Sequence, residues 1–308
     1  MKILVLGAGA IGAYYGARLL QAGASVSFLV RSARARQLRA HGLRVHSELG
    51  DFSGAVDVVE AGDALPEADV VLLACKTYDL PEAMRSIAPA VGARTAILPF
   101  LNGMQTYDLL DARFGKASVL GGVAYIAVAL QPDGSTRHLG TADRVVLGAR
   151  TPQLQLLADD LYGLLARSPG LRAVDAHIAQ QLWTKWVMLC SGAAVTCLFR
   201  GTIAQILATA HGRGFVETAL AECLQVASAE GFALAPDAVA QIKGLLLNPA
   251  SAWKASMARD IDAGMARLEA DGIVGDMLVR VARHGVPAPT LQAAHVHLQV
   301  YLQQAAAA

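Results

Sequence analysis

The sequence predicts an α/β chain in two parts: a doubly wound, mostly parallel sheet domain over residues 1–175 and an all-helical domain over residues 176–308. Three observations predict it. Short apolar runs alternate with helical stretches through the first half, at residues 3–6, 26–30, 69–76, 95–103, 119–130 and 143–149. A glycine-rich turn separates the first run from an Ala-rich amphipathic segment. From His177 onward the pattern is helical, broken at "NPAS" (248–251) and "HGVPAP" (284–289).

The opening stretch "KILVLGAGAIGAYYGARLLQAGASVSFLVR" reads as strand, turn, helix, strand. Gly7, Gly9 and Gly12 take the G-x-G-x-x-G positions. A tight turn needs the first glycine, close backbone approach to a pyrophosphate the second, and close helix–strand packing the third. The helix N-terminus then offers free N–H groups to phosphate. The turn from Gly7 through Ala8, Gly9, Ala10 and Ile11 to Gly12 is therefore read as the dinucleotide-binding turn of a Rossmann-type domain.

The end of the second strand bears on which dinucleotide. NAD-binding versions carry Asp or Glu about 20 residues beyond the glycines, for the ribose 2′-hydroxyl. Here Arg31 stands there, with Ser32, Arg34 and Arg36 following. A guanidinium binds a 2′-phosphate through paired hydrogen bonds, where an acid would repel it, so NADP (as NADPH) is the expected cofactor. A solvated basic loop is the plain alternative.

Among the remaining runs, Lys76 ends one and Asn102 follows another. Ligands of such sheets bind at the carboxyl ends of the strands, so both residues are cofactor candidates. A surface lysine and a turn asparagine would look the same. "QPDG" (131–134) suggests a hairpin turn joining the last two runs, and residues 151–168 a closing helix with a short strand-like run, 171–174, after it. The tail "QQAAAA" is expected to fray.

Bulk properties narrow the function classes. The 308 residues are 54% hydrophobic and 17% charged, which supports an extensive core. A net charge of +1 gives no general attraction to nucleic acid or to a membrane surface, and the arginines at 31, 34 and 36 form a short cluster and not a stripe. Cys75, Cys190, Cys197 and Cys223 are scattered, with no CxxC, and read as buried free thiols of a reducing compartment. No metal site is expected; His295 and His297 read as structural or solvated. Residues 3–17 imitate a signal peptide, but the glycine spacing explains them better. The uncharged stretch 186–199 is short of the roughly 20 residues that cross a bilayer. The chain is read as cytoplasmic, with a homodimer left open.

Lys185 stands at the head of that apolar stretch, sharing a helical face with Gln181, Met188 and Leu189. An ammonium on an apolar face must reach water, a carboxylate or a ligand. A lysine snorkelling from a helix end is the structural alternative.

Together these features resemble the ketopantoate reductase family, NADPH-dependent 2-dehydropantoate 2-reductases, over nearly the full length. The resemblance rests on "GAGAIG" (7–12), Arg31, "CK" (75–76), "LNG" (101–103), "LWTK" (182–185), "SMARD" (256–260), "RLEAD" (267–271) and "HGVPAPT" (284–290). It implies reduction of a small 2-keto acid to a 2-hydroxy acid, ketopantoate to pantoate in pantothenate biosynthesis being the named candidate. Lys185 would be the general acid, and Glu269 would sit near it and the cofactor. Lys76 and Asn102 would line the cofactor and substrate cleft between the domains, with Ser256 binding the substrate's polar end. Burial would lower the lysine pKa and Glu269 would raise it.

The sequence departs from the family in two places. The asparagines usual four and eight residues after the lysine are Leu189 and Ala193, and Glu269 is reached only with one extra residue after Gly264. The alternatives are a related dehydrogenase of the same plan, on a more apolar keto acid, and a non-catalytic NADP-binding sensor.

Overall fold

The apolar run after Lys2 forms β1 (Lys2–Leu6), followed by α1 (Ala10–Gln21), β2 (Ser25–Val30) and α2 (Ser32–His41). The computed structural model describes residues 1–65 and 67–307. It divides into two units, Met1–Leu101 with Thr106–Gln181, and Asn102–Gln105 with Leu182–Ala308. The sequence boundary at residue 175 thus differs on two points: the second unit begins inside a helix, and it takes four residues from the first half.

The first unit continues with β3 (Leu43–His46), β4 (Phe52–Gly54), β5 (Asp57–Glu60), β6 (Val70–Leu73), α3 (Leu80–Ile87) and β7 (Ala96–Pro99). Next come α4 (Gln105–Phe114), β8 (Gly121–Leu130), β9 (Thr136–Gly148), α5 (Gln155–Leu165) and β10 (Leu171–Val174). Five strands form a parallel sheet in the order β5-β2-β1-β6-β7. Its central strands read as unbroken apolar runs because both of their faces are buried, so alternation would bury polar side chains. This is the Rossmann-type sheet that the sequence predicts.

Two of the apolar runs leave that sheet. β8 and β9 pair antiparallel across the turn at residues 131–135, where Asp133 accepts from Ser135 N at 3.0 Å and Ser135 Oγ at 2.7 Å. β9 also pairs with β10 and β3, and β4 closes the edge, giving a second sheet. Asp143 of β9 is buried and takes the Tyr14 and Tyr15 hydroxyls of α1, each at 2.9 Å. Arg172 of β10 meets the same carboxylate at 2.6 Å, so one buried charge pair with two phenols ties α1 to the second sheet.

The helical part holds α6 (Ile178–Leu198), α7 (Ile203–Leu207), α8 (Gly212–Ala229), α9 (Pro236–Leu246) and α10 (Ser256–Asp262). A π-helical turn (Asp271–Gly275) leads into α11 (Asp276–His284), and α12 (Pro289–Ala307) ends the chain. Both interruptions fall where the sequence places them. The tail is helical to Ala307; its last residue lies outside the described residues. The uncharged half of α6 is core: Trp186, Val187, Cys190, Ala193, Ala194, Val195 and Cys197 are all buried. Arg280 lies 5.5 Å from the ring centroids of both Trp183 and Trp186 and pairs with Glu230 at 2.8 Å.

None of the four cysteines is in a disulfide, and Cys75 is only half-buried, because it follows β6 into the turn. No helix among the described residues is long and apolar enough to cross a membrane, and no group of metal-binding side chains occurs among them.

Candidate active site

In the first unit the glycine turn leaves β1 and enters α1. Gly7 has φ +91°, and its N–H donates to Leu29 O at 3.0 Å, which pins the turn against β2. A Cβ on Gly12 would stand 1.8 Å from Gly7 O, so helix and turn approach more closely than any other residue allows. At Gly9 a Cβ would meet nothing within 4 Å. The turn is open on that side. Gly9 precedes α1 with no side-chain cap, so the first N–H groups of the helix keep their donor capacity for an anion. These residues fit a pyrophosphate.

Arg31 is exposed at the end of β2, where its guanidinium pairs with Glu82 at 2.7 Å and Asp79 at 3.5 Å. Arg34 has another task. Its Nε donates to Ala8 O at 3.0 Å and its Nη1 to Gly134 O at 2.8 Å, so it braces the glycine turn from behind. Lys76 is half-buried three residues beyond β6, and Ala74 N donates to Leu6 O at 3.1 Å, so Lys76 stands at the carboxyl end of the sheet with the turn.

In the second unit Lys185 lies two turns inside α6, not at a helix end, which removes the snorkelling alternative. Loss of water around its ammonium pulls the pKa down to about 8, and the Glu269 carboxylate pulls in the opposite direction. Glu269 itself is buried, just before the π-helical turn. The extra residue after Gly264 falls in the loop of residues 263–269, between α10 and that turn.

That turn also organises the loop at residues 102–105. Trp186 Nε1 donates to Ile273 O at 3.1 Å. Gly103 has φ +85°, and a Cβ on it would lie 2.0 Å from Gly272 O. Asp276 Oδ2 accepts Met104 N at 3.2 Å and Gln105 N at 2.8 Å. Asn102 is therefore the first residue of a clamped loop, and is half-buried. Ser256 opens α10, and the residue before it is tied to α6: Ala255 N donates to Thr196 Oγ1 at 3.4 Å. The structure thus couples Lys185 to Glu269 and sets the loop that Asn102 opens against the π-helical turn and Asp276, while the residue before Ser256 is tied to α6 about three turns beyond Lys185. Sequence reasoning missed Trp186, Asp276 and Arg34 as supports. Gly103 in "LNG" was the one local sign of a close backbone approach.

The family model described as "Ketopantoate reductase PanE/ApbA" matches residues 3–152, and that described as "Ketopantoate reductase PanE/ApbA C terminal" matches residues 177–301. The chain belongs to the ketopantoate reductase family. It is an oxidoreductase. An uncharacterized oxidoreductase, YkpB of Bacillus subtilis (strain 168), is 34% identical over 98% of this chain and 99% of its own. A 2-dehydropantoate 2-reductase of Mesorhizobium japonicum is 28% identical over 95% of each chain. Among solved structures, D-mandelate dehydrogenase with NADH and anilino(oxo)acetate shares the fold, with a TM-score of 0.89 at 21% identity over 99% of this chain and 100% of that one.

Proposed function

We propose that this ketopantoate reductase family member uses NADPH to reduce a 2-keto acid to a 2-hydroxy acid, with Lys185 as general acid. Ketopantoate, reduced to pantoate, is the first substrate to try, by family membership. The observation that carries the reading is Lys185 inside an apolar helix, coupled to a buried carboxylate and tuned to about 8. A group titrating there is mostly protonated near neutrality yet gives up its proton readily.

Reduced nicotinamide, when bound, supplies a hydride to the ketone carbon. As the carbonyl electron pair moves onto oxygen, the Lys185 ammonium stabilises the growing charge and delivers the proton that makes the hydroxyl. The neutral amine then takes a proton from water, favoured by Glu269. The Ser256 hydroxyl and the Asn102 amide are the donors offered to the substrate carboxylate. In the first unit, residues 7–12 hold the pyrophosphate, Lys76 lies at the nucleotide end of the sheet, and Arg31 exchanges its carboxylates for a 2′-phosphate.

The test follows NADPH oxidation with ketopantoate, pyruvate and branched or aromatic 2-keto acids, in wild type and Lys185→Ala. The expected loss in the variant is about 10²–10⁴-fold in kcat with NADPH still bound. Unchanged turnover in Lys185→Ala would remove the lysine from the chemistry. A chain that binds NADPH and turns over none of these acids would be no reductase of this class.

A further inference from the structure

Along α6, one stripe at helical spacing carries Lys185, Met188, Leu189, Gly192 and Thr196. At Gly192 the stripe lacks a side chain and the Trp253 ring occupies the space, with Cη2 and Cζ3 each 2.6 Å from where a Cβ would stand. Leu246 Cδ2 lies 3.1 Å from the same point. The indole is fixed there by its backbone. Ile203 N donates to Trp253 O at 3.0 Å, and two residues on, Ala255 N donates to Thr196 Oγ1. Trp253 is only half-buried, as is Met188, so apolar surface on this stripe is left for a ligand. The Thr196 hydroxyl is committed, donating to Gly192 O at 2.8 Å while accepting from Ala255. Between Lys185 and Thr196 the stripe therefore carries no side-chain donor.

We infer that this stripe is the side-chain subsite of the keto acid, and that it selects a flat apolar group, aryl or aryl-methyl, over a branched, hydroxyl-bearing one such as ketopantoate's. The inference rests on the proposed function and names its substrate class. Gly192 follows Lys185 by about 10 Å along the helix. A keto acid with its ketone oxygen at the ammonium and its ring pointing along α6 lies over Met188 and ends against Trp253, with buried Leu189 behind it. The ring sheds water onto methionine and indole surfaces. A substrate hydroxyl laid along the same path gives up water and finds no side-chain partner.

The test measures kcat/KM with NADPH for phenylpyruvate, phenylglyoxylate, pyruvate and ketopantoate, using the full chain. An aryl acid should exceed both others by about 10-fold or more. Trp253→Ala should lower the aryl acids by about 10- to 100-fold and pyruvate by less than about 3-fold. Trp253→Leu, which keeps apolar volume, should show the same selective loss if the alanine variant is poorly folded. Leu189→Asn places an amide on the stripe and should move the aryl-to-ketopantoate ratio toward ketopantoate by about 10-fold. Ketopantoate as the best substrate of the wild type, or equal losses for all acids in both Trp253 variants, would overturn the inference and leave the reductase reading standing. NADPH oxidation with none of the acids would overturn both.

Discussion

Asp276 Oδ2 accepts the backbone N–H of Gln105 at 2.8 Å, joining residues 171 apart in sequence. The same carboxylate takes Met104 N, and its other oxygen lies 3.4 Å from Arg280 Nε with both side chains 6% exposed. Asp276→Ala leaves two amides without this acceptor and takes a counter-charge from a buried guanidinium. A loss of roughly 2–4 kcal/mol is expected, read as a lower urea midpoint at unchanged m. Asp276→Asn keeps an acceptor and should lose less. Equal stability of wild type and Asp276→Ala would mean that water replaces the carboxylate.

The lysine–glutamate pair sets the pH dependence. Lys185 must carry its proton to act as an acid, so kcat/KM for keto reduction should be flat below the lysine pKa and fall as pH rises through about 8. Glu269 raises that pKa, so Glu269→Gln should move the falling limb to lower pH. A limb that stays in place in Glu269→Gln would assign the titration to another group.

Cofactor choice should follow Arg31. Its pair with Glu82 joins side chains 65% and 55% exposed, and such pairs hold at only about 0–1 kcal/mol, so a phosphate can replace it. Arg31→Ala should raise KM for NADPH about 10-fold and leave KM for NADH nearly unchanged. Parallel changes for both nucleotides would place the 2′-phosphate elsewhere.

The glycine turn allows a cleaner separation of fold from binding. Gly12→Ala forces a methyl onto Gly7 O and should unfold the turn, lowering Tm by several degrees. Gly9→Ala meets nothing in the protein and sits at φ −76°, so Tm should hold while NADPH affinity drops, by about 10-fold or more. Unchanged affinity in Gly9→Ala, measured by fluorescence of the bound nucleotide, would mean that the pyrophosphate lies away from the turn.

What the sequence showed and what it hid divide along physical lines. β1, the glycine turn, α1 and β2 are legible because each is set by neighbours in sequence: an apolar run, a spacing of glycines, a helical periodicity. The same holds for the breaks before α10 and α12. The β8–β9 hairpin was legible from its turn at residues 131–134, but the rest of the second sheet was not, because β9 pairs with β3 and β10 through contacts distant in sequence, and apolar runs do not say which partner they choose. At the candidate site, Lys185 stood out as a charge in an apolar field. Asp276 did not, because a carboxylate at the start of a helix is ordinary until the loop it serves is known. Arg34, read as part of a basic cluster, turned out to hold the turn that it follows.

The four residues from Asn102 to Gln105 give the chain's two units an interleaved order along the polypeptide. A gene divided at codon 181 would encode two fragments, neither complete: the C-terminal product would hold Asp276 with no loop to receive, and the N-terminal product would carry the loop without its anchor. Exchange of the helical part between relatives by a single crossover would meet the same mismatch. The loop and the helices that grip it have to be inherited as a set.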